Sequence, residues 1–327
     1  MLPLPLNDGC LFVDNSMLEL LTTCSRALQY NRLELRVAAA EKPSANFGSA
    51  IHKALEYRYK NYCNKRADEE LLSQQAKLLT QFFTDRPQPI EDFRTLNWAI
   101  EVVRRYNNRY NIEPFNLLVN DKQEVMTEVS FALPFYEHIG FEKKIPVIYC
   151  GRIDLPVLWD NQLFIVDHKT TSILGPGFFD RMRMSAQQKG YSWAFQELTG
   201  RKAVGYVINA IRVKEPPQYV VDGKPRSSKT TTIEQWWDES LQRERFFLQD
   251  SELYEWRSNT IELIERFLWH HARGYMPMET AWCTVFGRCP YYDVCTLPAA
   301  DRGVMLSSGL FTQNTWTPLK QPTQVKQ

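Results

Sequence analysis

Asp154, Asp167 and Lys169 lie in one stretch, CGRIDLPVLWDNQLFIVDHKTTS, whose pattern is that of a β-hairpin turning at Asp160-Asn161. With a two-residue loop centred there, Trp159 pairs with Gln162 and, counting back, Asp154 with Asp167. Directly opposed residues have Cβ atoms about 4.5–5.5 Å apart, so two carboxylates there repel unless a cation lies between them or one is protonated. Strand alternation turns Lys169 to the face of Asp167. Two carboxylates and an ammonium facing one pocket suit a divalent ion that prefers oxygen ligands, Mg²⁺ or Mn²⁺. Such an ion polarises a phosphoryl oxygen and lowers the pKa of a bound water. The lysine would orient that water or stabilise charge developing on the phosphate. Asp-x-Lys also arises by chance in a chain of this length, and the competing reading is a surface hairpin carrying an Asp167–Lys169 ion pair.

Other residues could join this group. His52, in GSAIHKALE, falls in the first turn of a helix expected to start near Ser49. Glu128, in TEVSF ahead of the hairpin, is a candidate outer ligand or water holder. Gln187 and Tyr191, four apart in QQKGY, share one helix face and can donate to a phosphate or a base edge. Each taken alone is as readily a packing or surface residue.

A second constellation is made of thiols. CTVFGRCPYYDVC holds Cys283, Cys289 and Cys295, and Cys24 lies far upstream. Three clustered thiolates and a remote one can supply the four ligands of a [4Fe–4S] cluster. Structural zinc is the alternative, but its knuckles use gaps of two to four residues, and both gaps here are five. Cys10, Cys63 and Cys150 stand apart and read as buried or incidental thiols. Seven cysteines without an export signal argue for a reducing compartment.

The elements that must position these residues follow from patterning. The chain has 327 residues, 44% hydrophobic and 24% charged, and its net charge of +1 neither demands nor excludes nucleic acid. No apolar run approaches the roughly 18–20 residues of a membrane span, and the first residues carry no basic region of a signal peptide. SMLE marks a helix start, with Ser16 and Glu19 as a capping box and a break near Thr22-Thr23. Helical periodicity runs to about Tyr110, interrupted by the loop DRPQPIED. Three strands follow, EVMTEVSFALPF, IPVIYCGRIDLPVLW and QLFIVDHKT. GPGFFDRMRM reads as a loop into a helix closed by Gly200, and KAVGYVINAIRV as a further strand. EPPQYVVDGKPRSSKTT reads as a mobile loop, RFFL as a short apolar stretch, and SELYEWRSNTIELIERFLWHHARG as a long amphipathic helix.

This order predicts an α/β protein with a mixed central sheet flanked by helices and a helical domain drawn from both chain ends. Residues 1–120 form its N-terminal helical region with Cys24 and His52, and 121–250 the core. Residues 251–300 carry the last helix and the cysteines, and 301–327 a polar, poorly ordered tail.

In this order the residues resemble a PD-(D/E)XK nuclease of the iron–sulfur branch that includes RecB-like and CRISPR-associated exonucleases. The resemblance runs from about Ser16 to Cys295 and rests on Cys24, His52 after GSAI, Asp154 in GRID, Asp167-His168-Lys169-Thr170, the Gln187/Tyr191 pair and the terminal cysteines. It implies a restriction-endonuclease-like core in which His52, Asp154, Asp167 and the backbone carbonyl of His168 hold Mg²⁺ or Mn²⁺. Lys169 is then the catalytic lysine, and Gln187 and Tyr191 contact DNA. The cysteines would staple the chain ends through a [4Fe–4S] cluster. The implied activity is metal-dependent DNA exonuclease action in recombination, repair or phage DNA metabolism, in the cytoplasm of a prokaryotic cell or phage-infected host. Ile153-Asp154 stands where the family name has Pro-Asp, and the Cys283–Cys289 gap is wider than in many members. No GxxxxGK[ST] loop is present, so ATP hydrolysis would fall to a separate helicase or recombination partner. Two other readings remain: a non-catalytic iron–sulfur DNA-binding subunit, and a zinc-stapled phosphoesterase.

Overall fold

The computed structural model describes residues 4–39, 42–61, 69–89, 91–140, 144–214, 233–285 and 287–313. The chain begins with β1 (Leu6–Asn7), β2 (Cys10–Val13), α1 (Asn15–Thr23), α2 (Ser25–Leu28) and β3 (Arg36–Ala38). Three helices follow, α3 (Pro43–Lys60), α4 (Glu69–Asp85) and α5 (Leu96–Arg109). Next come β4 (Asn116–Leu117), β5 (Val129–Ile139), β6 (Lys144–Ile153), β7 (Leu155–Trp159) and β8 (Gln162–Thr171). The helices α6 (Pro176–Arg183) and α7 (Ala186–Thr199) lead to β9 (Gly205–Arg212). The rest is α8 (Ile233–Ser240), β10 (Leu241–Phe247), α9 (Asp250–Ala272), α10 (Tyr292–Thr296), α11 (Arg302–Leu306) and β11 (Phe311–Gln313).

These elements form two compact units. One comprises Lys42–Val129 and Ile153–Gln249; the other comprises Met1–Glu41, Ser130–Arg152 and Asp250–Gln327. Residues 1–120 are therefore shared between the two.

The first unit is built on a mixed five-stranded sheet ordered β10-β9-β8-β7-β4. β7 and β8 are antiparallel with Trp159 opposite Gln162, as the turn chemistry requires. Asp160 and Asn161 both take positive φ, the left-handed geometry of a two-residue hairpin loop. β8 and β9 run parallel, connected through α6 and α7, and β10 returns antiparallel to β9. Phe164 and Val166 on one face of β8 pack with Phe47, Ile51, Leu55 and Tyr59 of α3, all essentially buried. At about 1.5–3 kcal/mol per large buried side chain, this one helix face is a major part of the unit's stability. Gly205 begins β9 where a Cβ would lie 1.9 Å from the Phe246 carbonyl oxygen. Gly205→Ala is therefore expected to destabilise the protein by about 3 kcal/mol, read as a lower urea midpoint, because backbone cannot move aside as a side chain would.

The second unit holds the four-stranded sheet β1-β2-β6-β5, in which β2 and β6 are parallel, together with α1 and α9. A small separate core joins Ala27 and Tyr30 to Tyr291, Val294, Leu306 and Phe311.

Several local expectations are corrected. α1 is capped by Asp14, whose carboxylate accepts from the Met17 N–H at 2.7 Å, and not by Ser16. α3 starts at Pro43, which at the first helical position has no N–H to leave unsatisfied. His52 is thus in mid-helix. The strand expected over Ile145–Trp159 is broken at Asp154, between β6 and β7, which belong to different sheets. GPGFFDRMRM is largely the helix α6, whose Phe178 and Phe179 are buried. RFFL is part of the strand β10. The segment 301–313 is ordered: Leu306 and Phe311 fill the small core and β11 pairs with β3. The helical region expected from both chain ends carries a sheet as well. The loop expected over residues 215–231, and Cys63, lie outside the described residues. Among the described residues, no helix is long and apolar enough to cross a membrane.

Candidate active site

Asp154 occupies the break between β6 and β7. The ladder ends at Leu155 opposite Val166, so Asp154 does not sit in it as a regular partner of Asp167. Instead its carboxylate reaches across and accepts the His168 N–H at 2.9 Å. The strand leaves the ladder here because its two halves pair into different sheets, which frees Asp154 to turn its side chain into the site.

Three ligand atoms converge at this point. His52, Glu128 and Asp154 each offer one within 4.8 Å of the others. His52 Nδ1 is 3.5 Å from Asp154 Oδ2. Glu128 precedes β5 with φ +51, a left-handed conformation uncommon for a side chain of this size, and its N–H donates to the Asp154 carbonyl at 2.8 Å. That bond holds the strained residue against Asp154, where Glu128, expected as an outer ligand or water holder, offers a ligand atom beside those of His52 and Asp154. An imidazole and two carboxylates form a donor set that fits Mn²⁺ or Mg²⁺.

Asp167 and Lys169 share one face of β8, as alternation requires. Lys169 Nζ lies 2.7 Å from Asp167 Oδ2 and donates to Gln187 Oε1 at 2.8 Å. Gln187 Nε2 in turn donates to the Tyr191 hydroxyl at 3.1 Å. The lysine is thereby aimed by a strand carboxylate and by a helix amide. Burial disfavours its charge, but Asp167 and Asp154 outweigh that and raise its pKa, so it stays an ammonium. Burial raises the Asp154 carboxyl above its ordinary range; His52 opposes that rise, while nearby Asp167 adds to it. A cation among these carboxylates would relieve both causes of the rise. Tyr191 stays a neutral phenol because burial raises its pKa.

His168 faces the other side of the sheet. Its ring stacks on Tyr59 at 5.6 Å and lies 2.6 Å, through Nδ1, from Asn209 Nδ2. Arg243 Nε donates to Asn209 Oδ1 at 2.9 Å, and an arginine can only donate, so the amide orientation is set. Asn209 then donates to His168 Nδ1 and to the Tyr106 hydroxyl, and the imidazole proton resides on Nε2. Burial first, then the surrounding cations, hold His168 well below the usual histidine range, so it is neutral. Its ring is committed to this network, and the carbonyl is the group left for the expected metal-ligand role.

Arg243, Asn209 and His168 are ladder neighbours across β10, β9 and β8. Behind them Arg243 pairs with Glu113, which also accepts from the Tyr59 hydroxyl at 2.9 Å and pairs with Arg58. Sequence reading missed this buried network. Its one visible signal was Asn209, a polar residue inside the apolar run VINAIRV.

The four cysteines of the second constellation all belong to the second unit. Cys24, Cys289 and Cys295 border the small core. The Cys289 N–H donates to the Cys283 carbonyl at 2.9 Å. Burial raises the Cys295 pKa, and Cys24 and Cys289 raise it further, so these three thiols are electrostatic neighbours. Among the described residues, no three of the sulfurs lie within 4.8 Å of one another.

Comparison with known proteins gives a family and little beyond it. No curated protein matches the sequence. A crystal structure of "Putative exonuclease" from Eubacterium rectale is similar at 14% identity and TM-score 0.48, covering 91% of this chain and 93% of that one. The crystal structure of SSO0001 is similar at 11% identity and TM-score 0.26, covering 76% and 86%. The family model of the PD-(D/E)XK nuclease superfamily matches residues 15–296, an interval that contains every residue placed in the site above. By that match this chain belongs to the PD-(D/E)XK nuclease superfamily.

Proposed function

We propose that this protein is a metal-dependent DNA exonuclease that hydrolyses phosphodiester bonds. The observation that carries the reading is the placement of the His52–Glu128–Asp154 group beside the Asp167–Lys169–Gln187–Tyr191 chain. His52, Glu128 and Asp154 would hold Mg²⁺ or Mn²⁺, with Asp167 and the His168 carbonyl as further ligands. When bound, the ion supplies Lewis acidity at a phosphoryl oxygen and a water of lowered pKa. Lys169 carries a fixed positive charge to the developing phosphate charge and orients the attacking water. Gln187 holds Lys169 in direction, and Tyr191 holds Gln187. Both also present polar groups to the strand being cut. A binding module has no need for carboxylates set against one another, which favours an enzyme over a non-catalytic DNA-binding subunit.

Cys24, Cys283, Cys289 and Cys295 are the proposed ligands of a structural [4Fe–4S] cluster. A single zinc ion needs every sulfur about 2.3 Å away, and hence all within about 4 Å of one another. A cluster binds each thiolate at a different iron and spreads them wider. Cys289→Ala is expected to lose the visible absorption of anaerobically purified protein and to lower its melting temperature. A stable, colourless and fully active variant would contradict a structural cluster.

The function is tested with end-labelled single- and double-stranded DNA, in Mg²⁺, Mn²⁺ or EDTA, with Asp154→Ala alongside. Cutting that needs the metal and is lost in the variant supports the reading, and the product ladder distinguishes end-processive from internal cleavage. A folded wild type that binds DNA but never cuts it would overturn it.

A further inference from the structure

The end of β8 runs past the catalytic lysine into a cavity of about 310 Å³. Its lining includes Ser44, Phe47, Arg94, Thr170, Thr171 and Ser172, and no carboxylate lines it among the described residues. The Ser44, Thr170 and Ser172 hydroxyls make no hydrogen bond among the described residues, and Thr171 donates to the Ile173 carbonyl at 2.8 Å. Arg94 gives its Nη1 to both oxygens of Asp92, at 3.2 and 2.9 Å, which leaves Nε and Nη2 without a described partner. The walls thus present hydroxyls and a guanidinium, the donor set of an oxyanion site. Ser44 also lies in the first turn of the 18-residue helix α3, whose start has no side-chain cap and carries partial positive charge.

The position of this cavity relative to the metal group follows from α3. Thr170 Oγ1 would lie 2.9 Å from a Cβ on Gly48, so strand and helix touch there. Gly48 is one turn before His52, and Ser44 two turns. At about 1.5 Å per residue these are about 6 and 12 Å along the helix. Both distances are within the reach of one or two nucleotides of a strand whose cut phosphate lies at the metal group.

We propose that this cavity is a second phosphate-binding site, taking a phosphate of the nucleic-acid strand other than the one that is cut. The inference rests on the nuclease reading for its substrate class. The phosphate is either the terminal one of the strand or an internal phosphodiester, and the chemistry of recognition is the same. A terminal phosphate held here would set the cutting distance from that end.

The test is equilibrium anisotropy of the full chain in EDTA with labelled single strands bearing a 5′-phosphate, a 3′-phosphate or neither. Arg94→Gln is expected to weaken binding about tenfold and to lower the slope of log Kd against log salt by about one, as for any lost phosphate contact. Ser44→Ala and Thr170→Val should each weaken it about threefold. Ser44 is exposed, so that variant remains informative if Arg94→Gln melts early. Loss confined to one phosphorylated end assigns the terminal phosphate, and equal loss on all three strands assigns an internal one. Unchanged Kd and salt slope in Ser44→Ala and Thr170→Val would overturn the proposal. The same preparations are then assayed for cleavage in Mn²⁺. A wild type that cuts, with variants that bind normally, sinks the cavity and spares the nuclease. A wild type that never cuts, with variants that bind weakly, sinks the nuclease and spares the cavity.

Discussion

On the proposed function, Lys169→Met is expected to lower the rate of DNA cleavage at saturating Mn²⁺ by about 10³-fold, with Kd for DNA changed only a few-fold. A preorganised charge aimed at a developing oxyanion contributes about 10²–10³ in rate when removed alone. Lys169 is also the group expected to orient the water, which places it at the upper end. Its direction is set twice, by Asp167 Oδ2 at 2.7 Å and Gln187 Oε1 at 2.8 Å, so little reorganisation is needed to use it. The same substitution leaves buried Asp167 and partly buried Asp154 close together without the ammonium. The metal-free variant is therefore expected to lose about 2 kcal/mol of stability, and Mn²⁺ should restore more of its melting temperature than it adds to the wild type. A variant that cuts within tenfold of the wild-type rate would remove Lys169 from the chemistry. Gln187→Ala should act in the same direction and more weakly, because it loosens the lysine without removing the charge.

Arg243→Ala is expected to destabilise the protein by about 3–5 kcal/mol, the effect of removing one partner from a buried charged group. Arg243 is 6% exposed and its partner Glu113 is fully buried. It donates to the Tyr106 hydroxyl at 2.8 Å and the Tyr59 hydroxyl at 3.2 Å, and its guanidinium lies 3.5 Å over the Tyr110 ring. Deleting it leaves Glu113 with Arg58 at 3.5 Å and the Tyr59 hydroxyl at 2.9 Å. The urea midpoint reports this directly. A shift smaller than 1 kcal/mol would mean that water or Arg58 takes over the charge. The double variant Arg243→Met with Glu113→Gln removes both charges of that pair but leaves buried Arg58 without its carboxylate, so it should be about as destabilised as Arg243→Ala. Arg243 also orients Asn209, which holds His168 Nδ1, so any Arg243→Ala protein that stays folded should cut more slowly than wild type. Asn209→Ala tests that path with the Glu113 pair intact.

Much of the site was legible because hairpin geometry is local. The Asp160-Asn161 turn, the Trp159–Gln162 register and the two-residue period were enough to put Asp167 and Lys169 on one face, with Asp154 at the end of the ladder near them. The Gln187–Tyr191 pair followed from helical spacing, and the helix closed at Gly200, which takes φ +66 as its cap. Other features depended on contacts that no window of sequence contains. Asp154 leaves the ladder because β6 and β7 pair into different sheets. Glu128 comes to lie beside His52 and Asp154 because its strained backbone bonds to the Asp154 carbonyl. RFFL has no strand pattern of its own, and β10 forms because β9 offers it an edge. Leu306 and Phe311 are ordered because Tyr30 and Tyr291 give them a surface to bury.

By itself, then, the sequence determined the elements whose hydrogen bonds and periodicity are short-range, and with them the carboxylate–lysine hairpin and the nuclease resemblance. Only the tertiary structure decided that Glu128 lies beside His52 and Asp154, that His168 is tied into a network through Asn209 and Arg243, and that a hydroxyl-lined cavity opens one to two turns along α3 from His52. The physical reason is that each of these depends on residues 14 to about 130 positions apart, where the pairing is chosen by packing and burial rather than by local backbone preference.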